Sequence, residues 1–237
     1  MLQTFRERNL LVPTKKQMLL GILCWVMYQI GFGLIFVFCF DTEKQHGYYQ
    51  FQLSVMCASF ILTAVCFAPF LARSFAAVRL RRLFGDVLKA YGMEWVMSFV
   101  ISIWIVMINL LFSTEQVNPN QEIIESMVGY SPIPMFICTV ILGPITEECL
   151  VRGMIFGPIC RKSPLLAYVV SAAVFAVLHL IAGIGSVSWL TMLQNFISYL
   201  PSGIVLGWMY QRTGTLAGPI ALHCFINLIA NLMIFMM

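Results

Sequence analysis

The sequence predicts an all-α fold: a polytopic membrane helix bundle of about seven transmembrane helices. Three observations predict it. Hydrophobic residues make up 60% of the 237 residues and charged residues only 10%, whereas a soluble domain carries about 25% charged residues. The mean hydropathy is +0.89. The apolar runs are long and lack the period-two alternation of barrel strands, so helices must satisfy the backbone hydrogen bonds inside the bilayer.

Seven segments are long and apolar enough to cross a hydrocarbon core of about 30 Å. They are residues 18–40, 51–72, 94–113, 133–157, 164–183, 188–210 and 215–236. The first follows a basic stretch, but it is longer than a signal-peptide core and no cleavage site is obvious after it. We therefore interpret it as a retained membrane helix. The fourth contains Gly143-Pro144, which must kink it.

The basic residues predict the orientation. With alternating spans, twelve of them fall on one side, and the positive-inside rule makes that side the cytoplasm. These are Arg6, Arg8, Lys15, Lys16, Arg73, Arg79, Arg81, Arg82, Lys89, Arg161, Lys162 and Arg212. Only Lys44 falls on the other side. We expect a multi-pass protein of the plasma membrane with a cytoplasmic N-terminus and an outer C-terminus.

The connections between spans are informative in two places. Residues 79–89 mix basic and apolar side chains, which predicts either a short helix on the cytoplasmic lipid surface or a charged turn. The outer stretch from Ser113 to Ser131 contains a turn at Asn118–Gln121 and a short helix from Glu122 to Val128. The eight cysteines have no paired spacing, so we expect free, buried thiols. No nucleic-acid-binding module is visible.

Several polar residues lie within the predicted spans, although a charged side chain at a helix centre costs about 2.5–3.5 kcal/mol on insertion scales. The fourth span contains Glu147, Glu148 and Arg152, the fifth His179, and the seventh His223 and Asn227. Such residues are functional-site candidates, because a membrane helix retains them only at a cost.

Helical spacing orders these groups. Glu148 and Arg152 are one turn apart and can pair, whereas Glu147 is offset by about 100° and can point into a cavity. At 1.5 Å per residue, Glu147 lies about 16 Å, His179 about 22 Å and Asn227 about 18 Å from the cytoplasmic ends of their spans. The three can therefore meet near the middle of the membrane.

Purely structural roles are the alternative. Asn227 can serve as an interhelical hydrogen-bond partner and Glu148-Arg152 as a structural ion pair. Phe175, one turn before His179, is expected to pack. No structural role of this kind is evident for Glu147, since Glu148 is the residue that pairs with Arg152.

The motifs EExxxR, FxxxH and HxxxN, in this order on successive membrane helices, resemble those of the CPBP family, the CAAX-protease and bacteriocin-processing peptidases also called the Abi family. The resemblance covers roughly residues 114–236, with a looser similarity at Asn120-Gln121. We divide the chain into N-terminal membrane helices, residues 1–113 with spans 1–3, and a CPBP-like core, residues 114–237 with spans 4–7.

The resemblance implies a cavity that holds the catalytic residues and opens toward the membrane and the cytoplasm. It implies Glu147 as the base that activates water, with His179 holding that water. His223 and Asn227 would donate hydrogen bonds to the oxyanion, and Arg152 would hold Glu148. We expect no cofactor. The alternative is zinc on Glu147, His179 and His223, although the HExxH helix is absent.

The sequence therefore predicts an intramembrane endopeptidase that cleaves a membrane-tethered peptide or protein near the cytoplasmic leaflet of a bacterial membrane. Peptide maturation and bacteriocin processing or immunity are the roles the resemblance implies. One alternative is a non-catalytic adaptor that binds a sensor kinase or a bacteriocin. A transporter or channel is disfavoured, because no inverted repeat is visible.

Overall fold

The computed structural model describes residues 10–114 and 117–236, and within these ranges every long regular element is a helix. The predicted all-helical polytopic bundle is confirmed. In chain order the helices are α1 (Lys15–Phe36), α2 (Gln45–Ala77), α3 (Leu80–Phe112), α4 (Pro119–Tyr130), α5 (Pro132–Cys160), α6 (Pro164–Leu180), α7 (Trp189–Thr213) and α8 (Ala217–Met236). Arg6 and Arg8 of the orientation argument lie outside the described residues.

All seven predicted spans are helices, but one of them differs from the others in composition. Within the described residues, six helices are long and apolar enough to cross a membrane, namely α1, α2, α3, α5, α6 and α8. The predicted span 188–210 corresponds to α7, which has 25 residues but fails on composition. Its polar residues include Gln194, Asn195 and Gln211, all buried. Since α7 packs between α3, α6 and α8, these side chains face protein instead of lipid.

Helices α2 and α3 are longer than predicted. Each has 33 residues, or about 50 Å at 1.5 Å per residue, so both extend well beyond a hydrocarbon core of about 30 Å. Val78 and Arg79, both extended, separate them. Residues 80–89 are therefore helical, as one of the two expectations had it, but they form the first turns of α3 instead of a separate surface helix, and the alternative of a turn is wrong.

Helix α5 contains the predicted distortion at Gly143-Pro144 in an unexpected form. Two π-helical segments, Cys138–Leu142 and Cys149–Phe156, flank a short α-helical stretch, Gly143–Glu148. In the first, the Gly143 N–H bonds to the Cys138 carbonyl five residues back. Pro144, five residues after Thr139, has no N–H. The Thr139 carbonyl therefore cannot accept the corresponding hydrogen bond. Such π-helical segments recur at functional sites.

Helix α4 is a short amphipathic helix on the connection between α3 and α5. Its N-cap is Asn118, whose side chain accepts the Gln121 N–H. The predicted helix is confirmed and is longer at each end, whereas the turn predicted at Asn118–Gln121 is wrong, because Pro119, Asn120 and Gln121 form the first turn of the helix. Met127 of α4 packs with Tyr49 of α2 and Met135 of α5 in a small apolar cluster. All eight cysteines are free, although Cys39 is exposed, contrary to the prediction that all are buried.

Candidate active site

Helices α5, α6 and α8 bring the intramembrane polar residues together. Glu147 Oε2 lies 3.8 Å from His179 Nε2 and 3.9 Å from His223 Nε2. The Glu147 side chain is 15% exposed and that of His223 only 5%. Three helices that are distant in sequence thus direct one carboxylate and two imidazoles at a common point.

Glu148 points away from this point, into the protein. Arg152 donates to Glu148 Oε1 at 3.1 Å, and neither side chain has any exposed surface. His223 Nδ1 lies 3.0 Å from the same oxygen. The carboxylate therefore holds the His223 ring from behind, the arrangement by which carboxylates fix histidine orientation in many active sites.

Arg152 connects this pair to the rest of the bundle. Its second nitrogen donates to the Gly203 carbonyl of α7 at 3.0 Å, and its guanidinium lies 4.5 Å from the centroid of the Phe175 ring. Phe175 is buried, and its ring also contacts His179 and His223. Phe175 thus packs, as expected, but it packs among the site residues.

The hydrogen-bond partners set the proton positions on both histidines. His179 Nδ1 lies 2.8 Å from the Phe175 carbonyl, which can only accept, so this nitrogen carries the proton. His223 Nδ1 likewise donates to Glu148. In the neutral imidazoles, both Nε2 atoms then present lone pairs toward Glu147 Oε2, and no described residue donates a hydrogen bond to that oxygen. Three acceptors share one small space.

Tyr28 is a site residue that the sequence analysis missed. Its hydroxyl donates to the second oxygen of Glu147, Oε1, at 3.4 Å. Tyr28 lies in a π-helical segment of α1, Met27–Gly31. The available signal was a tyrosine in the middle of an apolar span, since a buried tyrosine hydroxyl normally has a partner.

Asn227 bonds to the backbone of α5. Its Nδ2 donates to the Thr139 carbonyl at 2.8 Å, the carbonyl that the π-helical segment and Pro144 leave without a partner. An amide nitrogen carries two N–H groups, and this bond uses one of them. Asn227 also lines the cavity that contains Glu147. The residue therefore both makes the interhelical hydrogen bond and lies at the candidate site.

Tyr199 packs against the ring of His179. The two ring centroids are 4.4 Å apart. The Tyr199 hydroxyl accepts hydrogen bonds from Asn118 Nδ2 at 3.0 Å and Asn120 Nδ2 at 3.3 Å. Tyr199 therefore links the start of α4 to the site histidine. No spacing rule pointed to this residue.

A cavity of about 560 Å³ contains Glu147, His179 and Asn227 in its wall, a volume typical of ligand sites. Glu148, Arg152 and His223 are not part of its lining. The remaining wall is mostly apolar and comes from α1, α2, α4, α5 and the end of α6. The six predicted site residues therefore divide into three that face the cavity and three that lie behind or beside it.

The donor types of Glu147, His179 and His223 are those of a zinc site, but their separation is not. Zinc binds nitrogen and oxygen donors at about 2.0–2.2 Å in a tetrahedron, which places neighbouring donors about 3.4 Å apart. The carboxylate oxygen is 3.8 and 3.9 Å from the two nitrogens. In the part of the chain that the structure describes, no three His, Cys, Asp or Glu side chains form a group that could hold a metal ion.

Fold and site together define a class: a multi-pass helical membrane protein with a glutamate and two histidines at one point of a cavity within the membrane-spanning bundle. The family model described as "Type II CAAX prenyl endopeptidase Rce1-like" matches residues 129–229, the region that carries all three motifs. The recognition of the CPBP family from those motifs is thereby confirmed.

Two bacterial proteins are similar to part of this chain. The "Putative membrane peptidase YdiL" of Bacillus subtilis (strain 168) is 26% identical over 118 residues, 49% of this chain and 43% of that protein. The "Membrane-embedded CAAX protease MroQ" of Staphylococcus aureus (strain USA300) is 25% identical over 148 residues, 59% of this chain and 53% of that protein. The chain thus spans about half the length of these curated relatives. No solved structure gives a significant match.

Proposed function

We propose that this protein is an intramembrane endopeptidase that hydrolyses a peptide bond of a membrane-associated peptide or protein with a water molecule activated by Glu147. The observation that carries the proposal is the meeting of Glu147 Oε2 with two histidine Nε2 atoms at 3.8 and 3.9 Å. The match to an endopeptidase family over residues 129–229 supports the reaction class.

The three hydrogen-bond acceptors, Glu147 Oε2 and the Nε2 atoms of His179 and His223, can bind a water molecule between them. A water at this point donates one proton to Glu147 Oε2 and the other to His179 Nε2, and its lone pair is then directed into the cavity. As the water attacks the peptide carbonyl carbon, its proton moves to Glu147 and the carbonyl oxygen becomes an oxyanion. When the C–N bond breaks, Glu147 returns the proton to the leaving amine. General base catalysis of this kind contributes typically 10²–10⁴-fold.

Donors for the oxyanion come from α8. Asn227 has a second amide N–H. His223 is the second donor in the form whose Nε2 also carries a proton, and the water then keeps Glu147 and His179 as its two acceptors. A single oxyanion donor is worth about 10²–10³ in kcat. Glu148 and Arg152 act as positioning residues, since neither reaches the cavity.

The proposal needs no metal. Zinc on Glu147, His179 and His223 is the alternative that the chelator experiment tests. The membrane side is also part of the proposal: the basic residues favour a cytoplasmic N-terminus and, with α7 crossing the bundle as the seventh helix, an outer C-terminus. The membrane proposed is a bacterial plasma membrane. Maturation of secreted peptides or bacteriocins, or immunity to them, is the physiological role that fits such an enzyme.

The test is cleavage of membrane-proximal peptides by the purified protein in liposomes, with and without a chelator. Wild type is compared with Glu147→Gln and with Glu94→Gln. Glu94 is a matched control because it is a second carboxylate within a span, with hydrogen bonds from Ser98 and Ser202. We expect Glu147→Gln alone to abolish cleavage, with no effect of the chelator.

Full cleavage by Glu147→Gln would overturn the proposal and favour the adaptor. Loss of wild-type cleavage on chelation, restored by added zinc, would assign the reaction to a metal centre.

A further inference from the structure

A second cavity, which we call the basic-end cavity, lies at the end of the bundle that carries most of the basic residues. Its volume is about 350 Å³, and it lies between the start of α3 and the end of α7, with Ala77 and Val78 beside them. None of its described lining residues belongs to the cavity of the candidate active site. The proposed orientation places this end at the cytoplasmic leaflet. The volume is within the range of ligand sites.

Positive charge dominates the wall of the basic-end cavity. Its charged residues are Arg79, Arg82, Arg212 and Asp86, with a net charge of +2. Arg212 donates from Nε to Asp86 at 3.2 Å. Asp86 is the more buried partner, because its side chain is 15% exposed and that of Arg212 is 37% exposed. The one carboxylate in the wall therefore already pairs with a cation, and this ion pair joins α3 to α7.

Arg79 and Arg82 have no carboxylate partner of this kind. Both side chains are exposed, and in the part of the chain that the structure describes neither forms an ion pair. The first turn of α3 contains no acidic residue. Guanidinium groups bind phosphate oxygens through two parallel hydrogen bonds. The cavity thus presents two arginines to an anion that the described residues do not supply.

An apolar stripe begins at the same end and follows α3 along the bundle. Leu80, Phe84 and Leu88 are spaced by four residues and share one face of the helix, and their side chains are 75%, 69% and 45% exposed. This face is offset by about 100° from the face of Arg79 and Leu83, which line the cavity. A phosphate in the cavity can therefore be joined to hydrocarbon chains that lie along the stripe, as in a phospholipid.

We propose that the basic-end cavity binds a phosphate group, and that this group belongs to an anionic phospholipid of the cytoplasmic leaflet. Arg79 and Arg82 bind the phosphate oxygens, and the Asp86–Arg212 pair holds together the two helices between which the headgroup lies. The acyl chains lie along the apolar stripe of α3. This site is separate from the candidate active site, and the proposal does not depend on the peptidase function.

The test is native mass spectrometry of the purified full chain in a non-ionic detergent, titrated with phosphatidylglycerol. Wild type is compared with Arg79→Gln/Arg82→Gln and with Arg73→Gln/Arg81→Gln. The second pair is the matched control, because it removes two exposed arginines from the same end that do not line the cavity. We expect one lipid to bind saturably to wild type and control, and Kd to rise about 30-fold in Arg79→Gln/Arg82→Gln. Equal weakening in both variants would overturn the proposal, because surface charge alone would then attract the lipid.

A pair of uncharged variants tests the cavity itself. Ala77→Phe adds a large side chain to the cavity wall, whereas Ala76→Phe changes an exposed alanine of the same helix that does not line it. We expect phosphatidylglycerol binding to be lost in Ala77→Phe and retained in Ala76→Phe. Unchanged binding in Ala77→Phe would show that the lipid does not occupy the cavity.

Two further probes identify the source of the phosphate. Phosphatidylcholine carries the same phosphate with a compensating cation, and we expect it not to bind saturably. Inorganic phosphate at the concentration of the lipid should not displace phosphatidylglycerol, because it makes no contact with the apolar stripe. Displacement would assign the cavity to free phosphate, and equal binding of phosphatidylcholine would remove the requirement for an anionic headgroup. Either result would overturn the proposal.

Discussion

Asn227 of α8 donates a hydrogen bond of 2.8 Å to the Thr139 carbonyl of α5, whose partner position in the π-helical segment is occupied by Pro144. A side chain on one helix thereby completes the backbone hydrogen bonding of another. The bond lies two turns from Glu147 along α5, so it fixes the segment from which the proposed base projects.

Asn227→Ala should therefore lower stability as well as activity. An unsatisfied buried carbonyl costs about 1–3 kcal/mol, and the loss of an oxyanion donor adds a decrease of about 10²–10³ in kcat. Thermal unfolding in detergent and kcat of the same preparation measure the two effects. A variant with wild-type unfolding temperature would show that the Thr139 bond contributes nothing.

Removal of Arg152 should destabilise the protein strongly. Arg152→Met leaves the buried Glu148 carboxylate with the His223 hydrogen bond but without its cation, and loss of one partner of a buried ion pair costs about 3–5 kcal/mol. The double variant Glu148→Gln/Arg152→Met should regain much of that stability, because no charge is then left unpaired. Unfolding midpoints of both single variants and the double variant measure the coupling. Additive losses would show that the two side chains do not interact.

Tyr28→Phe should reduce activity while leaving the fold intact. It removes the hydroxyl that donates to Glu147 Oε1, and since the 3.4 Å bond is long, we expect an effect of about 1 kcal/mol, or about fivefold in kcat/KM. Tyr91→Phe serves as the control, because Tyr91 packs against Phe225 on α8. Equal kcat/KM in both variants would remove Tyr28 from the site.

Glu147 and His179 should act as one unit. Each single variant, Glu147→Gln or His179→Ala, is expected to lower kcat by about 10²–10⁴. The double variant should be no slower than the slower single variant, because both residues hold the same water. Single-turnover rates of the three variants measure this. Multiplicative losses would indicate that the two residues act in separate steps.

The sequence predicted the polar residues that meet, because the cost of placing them in lipid singles them out and helical spacing orders them. It also predicted the pairing of Glu148 with Arg152 and the separate direction of Glu147. These are local properties of one helix, and the arithmetic of 3.6 residues per turn is sufficient for them.

The contributions of Tyr28 and Tyr199 could not be predicted in the same way. Each reaches the site from a helix that carries no motif, so its position depends on how helices pack, which spacing within one helix does not encode. The composition of α7 has a related explanation. The polar side chains of α7 are tolerated because neighbouring helices enclose them, a condition that hydropathy along the chain cannot detect.

The π-helical segment Cys138–Leu142 has a consequence for how the active site is encoded. Such a segment is equivalent to an α-helix with one inserted residue, which the widened turn absorbs. The residues on either side keep their directions, so deletion of one residue there would restore α-helical spacing without turning Glu147 away from the histidines. The extra residue instead leaves the Thr139 carbonyl to the Asn227 amide, so a stretch without a catalytic side chain determines how α8 is held against α5.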